Sequence, residues 1–457
     1  MTGTDVDLVV AGAGGGLAGA LRAAQLGARV LVVEANEHFL RGNNTSMSTA
    51  MVPGAGSRWQ RDAGIDDSPE RFLADIAAKT HGDFATPVAE ALAGVSAELV
   101  EWLADHAGLP IELPTDFHYP GHSAQRVHSI PGRHGARLLR HLADAVSAEP
   151  LVDLMVPARI TAARTGVVTV SYPDGGEEEI TTRALLLATN GYGANRELVA
   201  EYLPEIADAE YHGSEYSTGD ALRIGATFGA QKSYLDAYQG HAGLSAEART
   251  LVTWTVVMHG GFVTTVDGRR FGDESTGYSE YAATLAAQPG STGWLVYDER
   301  IHDASLAFGD YVDVVESGAP RRAESVADLA ATIGVPADTL QAELDEAAAV
   351  AHGELARDRF GRTEFERPLA APFYAVRILP ALFHTQGGLT VDRHARVLGS
   401  DGEPIPGLYA SGGAAVSISG HGAAGYLAGN GLLPALGLAY LAAAHTAATL
   451  PTVKGNR

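Results

Sequence analysis

Apolar positions open the chain in two short runs separated by a stretch of helical period. Val6-Asp7-Leu8-Val9-Val10-Ala11 reads as a buried strand, 17–27 carries the spacing of an amphipathic helix, and 28–33 is a second strand ending at Glu34. The pattern predicts a βαβ unit with Gly12-Ala13-Gly14-Gly15-Gly16 at its first turn. An apolar strand follows at 184–187, and short strands are expected over 156–181 around the turn Pro173-Asp174-Gly175-Gly176. Residues 324–350 read as helices broken by Gly334-Val335-Pro336. Near the end, Pro406-Gly407-Leu408-Tyr409-Ala410-Ser411-Gly412-Gly413 reads as a strand running into a glycine turn, and Gly429-Asn430-Gly431 opens a last long helix. Residues 432–450 are almost apolar enough to cross a bilayer, but Pro434, Gly437 and His445 make a buried helix the better reading. The fold class expected is α/β.

Composition narrows what such a fold can do. The 457 residues suffice for about three average domains or two larger ones, and 46% hydrophobic with 19% charged residues excludes wholesale disorder. A net charge of −23 makes nucleic acid and anionic membranes poor partners. No cysteine is present, which removes disulfides, thiol catalysis, cysteine-held metal or iron–sulfur clusters, and a cysteinyl-linked cofactor. The opening residues lack the basic segment and cleavage site of a signal peptide, so a soluble, cytoplasmic protein is expected.

The glycine turn carries the first chemistry. Glycines at a strand-to-helix turn let the backbone approach a pyrophosphate, which then sits on the helix N-terminus. Glu34 lies 22 positions after Gly12, where a carboxylate can accept hydrogen bonds from an adenosine ribose and repel a 2′-phosphate. The spacing departs from Gly-x-Gly-x-x-Gly, because position 17 is Leu and the third glycine falls at 16 or 19. Strand, turn, helix, strand and acid together still predict a dinucleotide of the FAD or NAD type.

Several further motifs, in order, resemble the fumarate reductase/succinate dehydrogenase flavoprotein superfamily, which includes the 3-ketosteroid dehydrogenases. They are Asn43-Asn44-Thr45-Ser46, Ala188-Thr189-Asn190-Gly191-Tyr192-Gly193, Ser217-Thr218-Gly219-Asp220, Gly268-Arg269-Arg270-Phe271-Gly272-Asp273-Glu274, His384-Thr385-Gln386-Gly387-Gly388 and Gly407-Leu408-Tyr409-Ala410. The resemblance spans nearly the whole chain. It implies a Rossmann-like FAD-binding domain built from both chain ends, about 1–210 and 365–457, with an inserted α+β cap at about 211–364 closing over the isoalloxazine. It implies FAD contacts from Gly12, Gly14, Gly16, Glu34, Asn43, Asn44, Thr45, Ser46, Thr189, Gly191, Asp220, Gly412, Gly413, Gly431 and Leu432. Asn44 stands where succinate dehydrogenases carry a flavin-linking histidine, so the FAD is expected to be non-covalent.

Departures from the family pattern bear on substrate. Fumarate reductases clamp their dicarboxylate with two arginines, a side chain suited to the task by its fork and permanent charge. Here His302 aligns with the first, with Arg300 two residues away, and Tyr426 falls at or near the second. The segment Gly425-Tyr426-Leu427-Ala428-Gly429 resembles that of ketosteroid dehydrogenases, where a tyrosine lies beside the flavin. Tyr278 occupies the place of a proton-relay arginine. Two phenols suit a ketone: one polarises the carbonyl, and the other takes the α-proton while a hydride leaves the β-carbon for flavin N5.

The catalytic candidates are therefore Tyr426, Tyr278, His384 and Arg300, and the substrate-binding candidates are His241, Tyr119, His302 and Gly429. Asp273 and Glu274 either join a proton path or pair with Arg269 or Arg270. Residues 116–134 read as a loop over the active site. His118 and His122 there have metal-ligand spacing only if helical, which Tyr119-Pro120-Gly121 opposes, so no metal is expected. The function expected is an FAD-dependent oxidoreductase acting on the carbon–carbon bond beside a ketone, with a small-molecule ketone or enone as partner and an unidentified electron acceptor or donor. A fumarate-type carboxylate reductase and a flavin-binding subunit without turnover remain the alternatives.

Overall fold

The computed structural model describes residues 4–115 and 118–450; the start of the 116–134 loop, at Asp116 and Phe117, lies outside the described residues. The chain divides into two units. The first comprises Met1–Leu203, Gly213–Tyr238 and His384–Arg457, and the second Pro204–His212 and Gln239–Phe383. Gly213–Tyr238, which the sequence boundaries assign to the insert, belongs with the first unit. Its strand Lys232–Ser233 pairs with Gly388–Leu389, and its helix Asp220–Thr227 lies against the strand Arg159–Arg164. Residues 365–383 join the second unit, because the strand Phe373–Thr385 forms the middle of that unit's sheet.

In the first unit the sheet runs in the order 396–398, 404–410, 177–187, 6–11, 30–33, 152–155. All but the outermost pair are parallel, which requires crossovers and burial of both faces. Leu8, Val9 and Val10 are fully buried, as an unalternating apolar strand demands. The turn at 172–176 closes a hairpin of Val167–Ser171 on Glu177–Leu187. Registers align Ala11 with Val33, Ala11 with Leu187, and Leu187 with Ala410. The C-terminal ends of these strands therefore deliver the glycine turn, Glu34, Thr189 and Gly412 to one edge of the sheet, the edge where doubly wound sheets bind ligands.

The helix Leu432–Thr449 is apolar all round because it is covered on several sides. Against the helix Gly16–Gln25 the approach is close: a Cβ on Gly15 would lie 2.6 Å from the Ala435 carbonyl oxygen, and one on Gly19 3.0 Å from that of Ala439. On another side Trp102 of the helix Thr86–Asp105 meets Tyr440 edge-on, and Tyr440 donates to Glu98 at 2.7 Å. The helix has the length and apolarity to cross a membrane, yet 61% of it is buried within the protein.

The second unit centres on an antiparallel sheet in the order 238–245, 373–385, 293–298, 262–264. The helices Val326–Ile333 and Ala337–Ala351, separated at the expected break, pack Leu329, Ile333, Leu340 and Leu344 with Phe262, Val296 and Ala375. Within this unit lies a buried ionic cluster. Glu274 accepts from Arg270 at 2.7 Å and from Arg362 at 3.1 Å, and Arg270 also pairs with Asp358 at 2.7 Å. Glu274 is thus paired with Arg270 and Arg362, not Arg269, while Asp273 caps the turn at Ser275.

Candidate active site

The glycine turn is shaped by what cannot fit there. Gly12 has φ +105°, and a Cβ on it would strike the Ala188 carbonyl oxygen. Glu34, 7% exposed, accepts from the Ala13 amide and from the Asn36 amide, both at 2.7 Å. Burial raises its pKa, and those two N–H groups oppose the rise by favouring the carboxylate. Asn43 accepts from the Thr45 amide at 2.8 Å, and the Ser46 hydroxyl donates to the Asn43 carbonyl at 2.6 Å, closing a tight turn. That turn faces Gly14, whose Cβ would sit 3.1 Å from Thr45 Oγ1. Asn44 accepts from the Ser214 amide at 2.7 Å.

Gly191 and Gly413 cross closely with Thr385 and Asn190, where a Cβ would overlap side-chain oxygens. Around them are buried polar atoms without a protein partner: Thr189 Oγ1, Ser411 Oγ, Gln386 Nε2 and Asn430 Oδ1. An unpaired buried donor or acceptor costs about 1–3 kcal/mol, so such a group calls for a bound partner. A close-approach glycine cradle lined by unpaired polar atoms, at the strand ends, fits a dinucleotide. Sequence reading missed Gln386, Ser411 and Asn430 as individual residues; each adjoins a glycine in a quoted motif, which was the available signal. Asp220 has protein partners of its own. It accepts from Arg159 at 2.8 Å and pairs with Arg223 at 3.3 Å, so its carboxylate fixes the start of its helix.

The same unit brings together His384, Tyr426 and Gly431. The His384 and Tyr426 rings meet edge-to-face with centroids 6.4 Å apart, and His384 Nε2 lies 3.1 Å from where a Gly431 Cβ would be. Desolvation lowers the His384 pKa to about 4, so the ring is neutral at pH 7. In the first turn of Leu432–Thr449 beside it, the Leu433 N–H is taken by the Gly429 carbonyl at 3.0 Å and Pro434 has no N–H. Gly429, φ +89°, sits against Pro53. Tyr119 is half-buried, in the turn where the His122 amide donates to its carbonyl at 3.2 Å. His118 and His122 each aim a ring nitrogen at a backbone carbonyl, of His122 and Ala428 respectively.

In the second unit His241 lies between two parallel rings, Tyr278 at 4.7 Å and Phe383 at 5.4 Å, with Trp254 edge-on at 6.1 Å. Burial lowers its pKa to about 3. Its Nδ1 accepts from the Gly243 amide at 2.9 Å, which leaves the proton on Nε2 and makes that nitrogen a neutral donor. Phe383 and Trp254 escaped sequence reading, because aromatic residues at such spacing look like ordinary core.

Neither His302 nor Arg300 joins this stack. His302 stacks on Tyr374 at 4.6 Å and bonds the Tyr311 hydroxyl at 2.8 Å. Tyr374 and Phe383 lie on one continuous strand; their nine-residue separation is about 30 Å of extended backbone. Arg300 donates to Glu366 and to the His259 carbonyl, both at 2.9 Å. Both residues lie on the helix Glu299–Ser305, whose partners here are Tyr311, Tyr374, Glu366 and the His259 carbonyl.

A family model described as FAD binding domain matches residues 7–432. A probable fumarate reductase of Shewanella frigidimarina is 28% identical over 418 residues, covering 89% of this chain and 69% of that protein. A 3-oxosteroid 1-dehydrogenase of Mycobacterium tuberculosis is 28% identical over 298 residues, 58% of this chain and 53% of that protein. The structure of the open conformation of a flavocytochrome c3 fumarate reductase superposes with TM-score 0.81 and 25% identity, over 97% of this chain and 78% of that one. With the cradle and its unpaired polar atoms, these likenesses make the chain a member of the FAD-binding-domain family, an FAD-dependent oxidoreductase of the fumarate reductase and ketosteroid dehydrogenase group.

Proposed function

We propose that the chain introduces or reduces a C=C bond adjacent to a ketone, on a steroid or a smaller cyclic ketone. The observation that carries this reading is the pair His384 and Tyr426: a neutral imidazole and a phenol where a dicarboxylate reductase needs fixed positive charge. A second neutral histidine, His241, stacked on Tyr278 and Phe383 with Trp254 edge-on, supports the same substrate class. A buried carboxylate without a paired cation costs several kcal/mol, whereas a ketone needs hydrogen-bond donors only.

In this reading Tyr426 donates to the substrate carbonyl and stabilises charge that develops on its oxygen. His384 orients the same oxygen through its ring. By its family position Tyr278 is the candidate base for the α-proton, and His241 offers a neutral Nε2–H donor for a polar atom of a substrate. Gly12, Glu34, Asn43, Thr45, Thr189, Ser411 and Gly413 would hold FAD, which supplies the hydride acceptor or donor. The flavin is non-covalent, since Asn44 offers no nucleophilic ring nitrogen; acid precipitation is expected to release the yellow colour completely.

The second reading, reduction of an unsaturated carboxylate, is favoured by the Shewanella relative and the flavocytochrome likeness. Anaerobic photometry of the bound flavin against a panel of cyclic ketones, enones, fumarate and succinate separates the two. Ketones or enones are expected to change the flavin redox state fastest, and Tyr426→Phe is expected to lower that rate about 10²–10⁴-fold while FAD stays bound. Faster turnover of fumarate than of any enone would overturn the proposal.

A further inference from the structure

The segment that carries Tyr426 is held from one side by an unusual strap. Gly121, at φ +82°, presses on the Leu427 side chain, so closely that a Cβ would strike it. The next residue, His122, is 4% exposed, stacks on Phe72 at 5.9 Å, and places Nε2 3.0 Å from the Ala428 carbonyl oxygen. Its other nitrogen, Nδ1, lies 3.2 Å from Arg126 Nη1. A guanidinium has only donors, so Nδ1 must accept and the ring proton must sit on Nε2. The Ala428 bond is then a donated N–H···O=C bond with a fixed direction.

Arg126 cannot turn away to relax this arrangement. It is fully buried and forks onto Asp67 with bonds of 2.9 and 2.8 Å, while Asp75 takes its remaining nitrogen. Asp75 is in turn fixed by the Ser123 amide at 2.8 Å, next to His122 in sequence. His118 closes the turn by bonding the His122 carbonyl at 2.6 Å.

We propose that His122, locked as the Nε2–H tautomer by Arg126, is a positioning residue that sets the backbone of 425–431 and through it the placement of Tyr426. The proposal rests on the reading of Tyr426 as a catalytic group. The charged and titratable groups facing His122 are Arg126, Asp75 and His118, and burial together with Arg126 keeps the ring neutral at physiological pH. A backbone carbonyl two residues from the phenol is a short lever: displacement of a reacting group by a fraction of an ångström already lowers turnover markedly.

The test uses the flavin-loaded full-length protein. His122→Phe keeps the ring stack and removes the donor; His122→Gln keeps an N–H near the Nε2 position. His122→Phe is expected to lower kcat about tenfold with KM unchanged, and His122→Gln to restore most of it. In a Tyr426→Phe background the His122→Phe loss is expected to shrink, because both act through one hydroxyl. Amide exchange across 425–431 is expected to quicken in His122→Phe and recover in His122→Gln. Equal losses in the Phe and Gln variants, or an undiminished loss in the double variant, would overturn the proposal. Should His122→Phe not fold, nitrogen NMR of the unmodified protein decides: an Nε2–H signal supports the assignment and an Nδ1–H signal overturns it. A silent Tyr426→Phe would sink the functional reading alone; the amide exchange pattern would still decide whether His122 positions the segment.

Discussion

The glycine cradle of the first unit and the ionic and aromatic clusters of the second handle buried polar chemistry in opposite ways. In the first, the decisive positions are those where a side chain is missing: Gly12 against Ala188, Gly191 against Thr385, Gly413 against Asn190. Backbone and small hydroxyls are brought close enough to leave donors and acceptors unpaired at Thr189, Ser411, Gln386 and Asn430. In the second, the decisive positions are those where a large side chain is present and held by ion pairs or ring stacking. Arg270, Glu274, Asp358 and Arg362 neutralise one another in the core, and His241 is fixed by rings on both faces. A site for a large, shared cofactor can be written in glycines, because the cofactor itself supplies the bulk. A site that selects its substrate needs side chains already held in place.

That contrast can be broken at its strongest point first. Gly12→Ala puts a methyl into the Ala188 carbonyl at a left-handed φ, and purified protein is expected to carry almost no flavin by absorbance. Stoichiometric flavin in that variant would mean that the cradle is more pliant than its contacts imply. In the second unit Glu274→Ala strips the shared partner from two buried guanidinium groups. It is expected to cost about 3–5 kcal/mol in denaturant unfolding while leaving the glycine cradle of the first unit untouched.

Acid sharpens the comparison by a smaller amount. His122, His128 and His384 in the first unit and His241 in the second all have pKa values lowered from 6.5 by desolvation, to about 4, 4, 4 and 3. Below pH 6.5 the unfolded chain takes up protons that the folded chain refuses, so stability is full above pH 6.5 and falls as the pH drops toward 4. The ceiling is about 1.4 kcal/mol per pH unit for each histidine. Melting temperature is expected to fall steadily from pH 7 to 5, with His241→Phe flattening the slope by the share of one residue. The same substitution removes the Nε2 donor and is expected to raise KM for ketones about tenfold with FAD retained. Least of all, Arg300→Met removes a partly exposed ion pair and is expected to change stability by less than about 1 kcal/mol and turnover little. A large loss of turnover there would return Arg300 to the catalytic set and favour the carboxylate reading.

Much of the first unit was legible because its signals are local. The strand Val6–Ala11 ends where its apolar run ends, and the last helix, Leu432–Thr449, opens directly after Gly429-Asn430-Gly431. Glycine motifs mark backbone that must approach something, and they lie where the parallel strands end. The roles of Asp220, Arg300 and His302 were not legible. Their motif positions say where they stand along the chain but not which partners they take: Asp220 pairs with Arg159, Arg300 with Glu366, and His302 with Tyr374 and Tyr311. His122 was visible only as one histidine of several, since its tautomer depends on Arg126 and its partner lies 306 residues away in sequence.

One consequence of the strand order concerns how the protein comes into being on the ribosome. The strand Glu177–Leu187 is flanked by Val6–Ala11 on one side and Pro404–Ala410 on the other. The βαβ unit can therefore collapse early, but the edge of Glu177–Leu187 at Leu185–Leu187 stays open until the sequence-distant strand Pro404–Ala410 has been made. Open parallel edges form slowly and invite foreign strands. Completion of the first unit's sheet is therefore expected to wait on Pro404–Ala410, and a chain stalled before that strand would expose the edge.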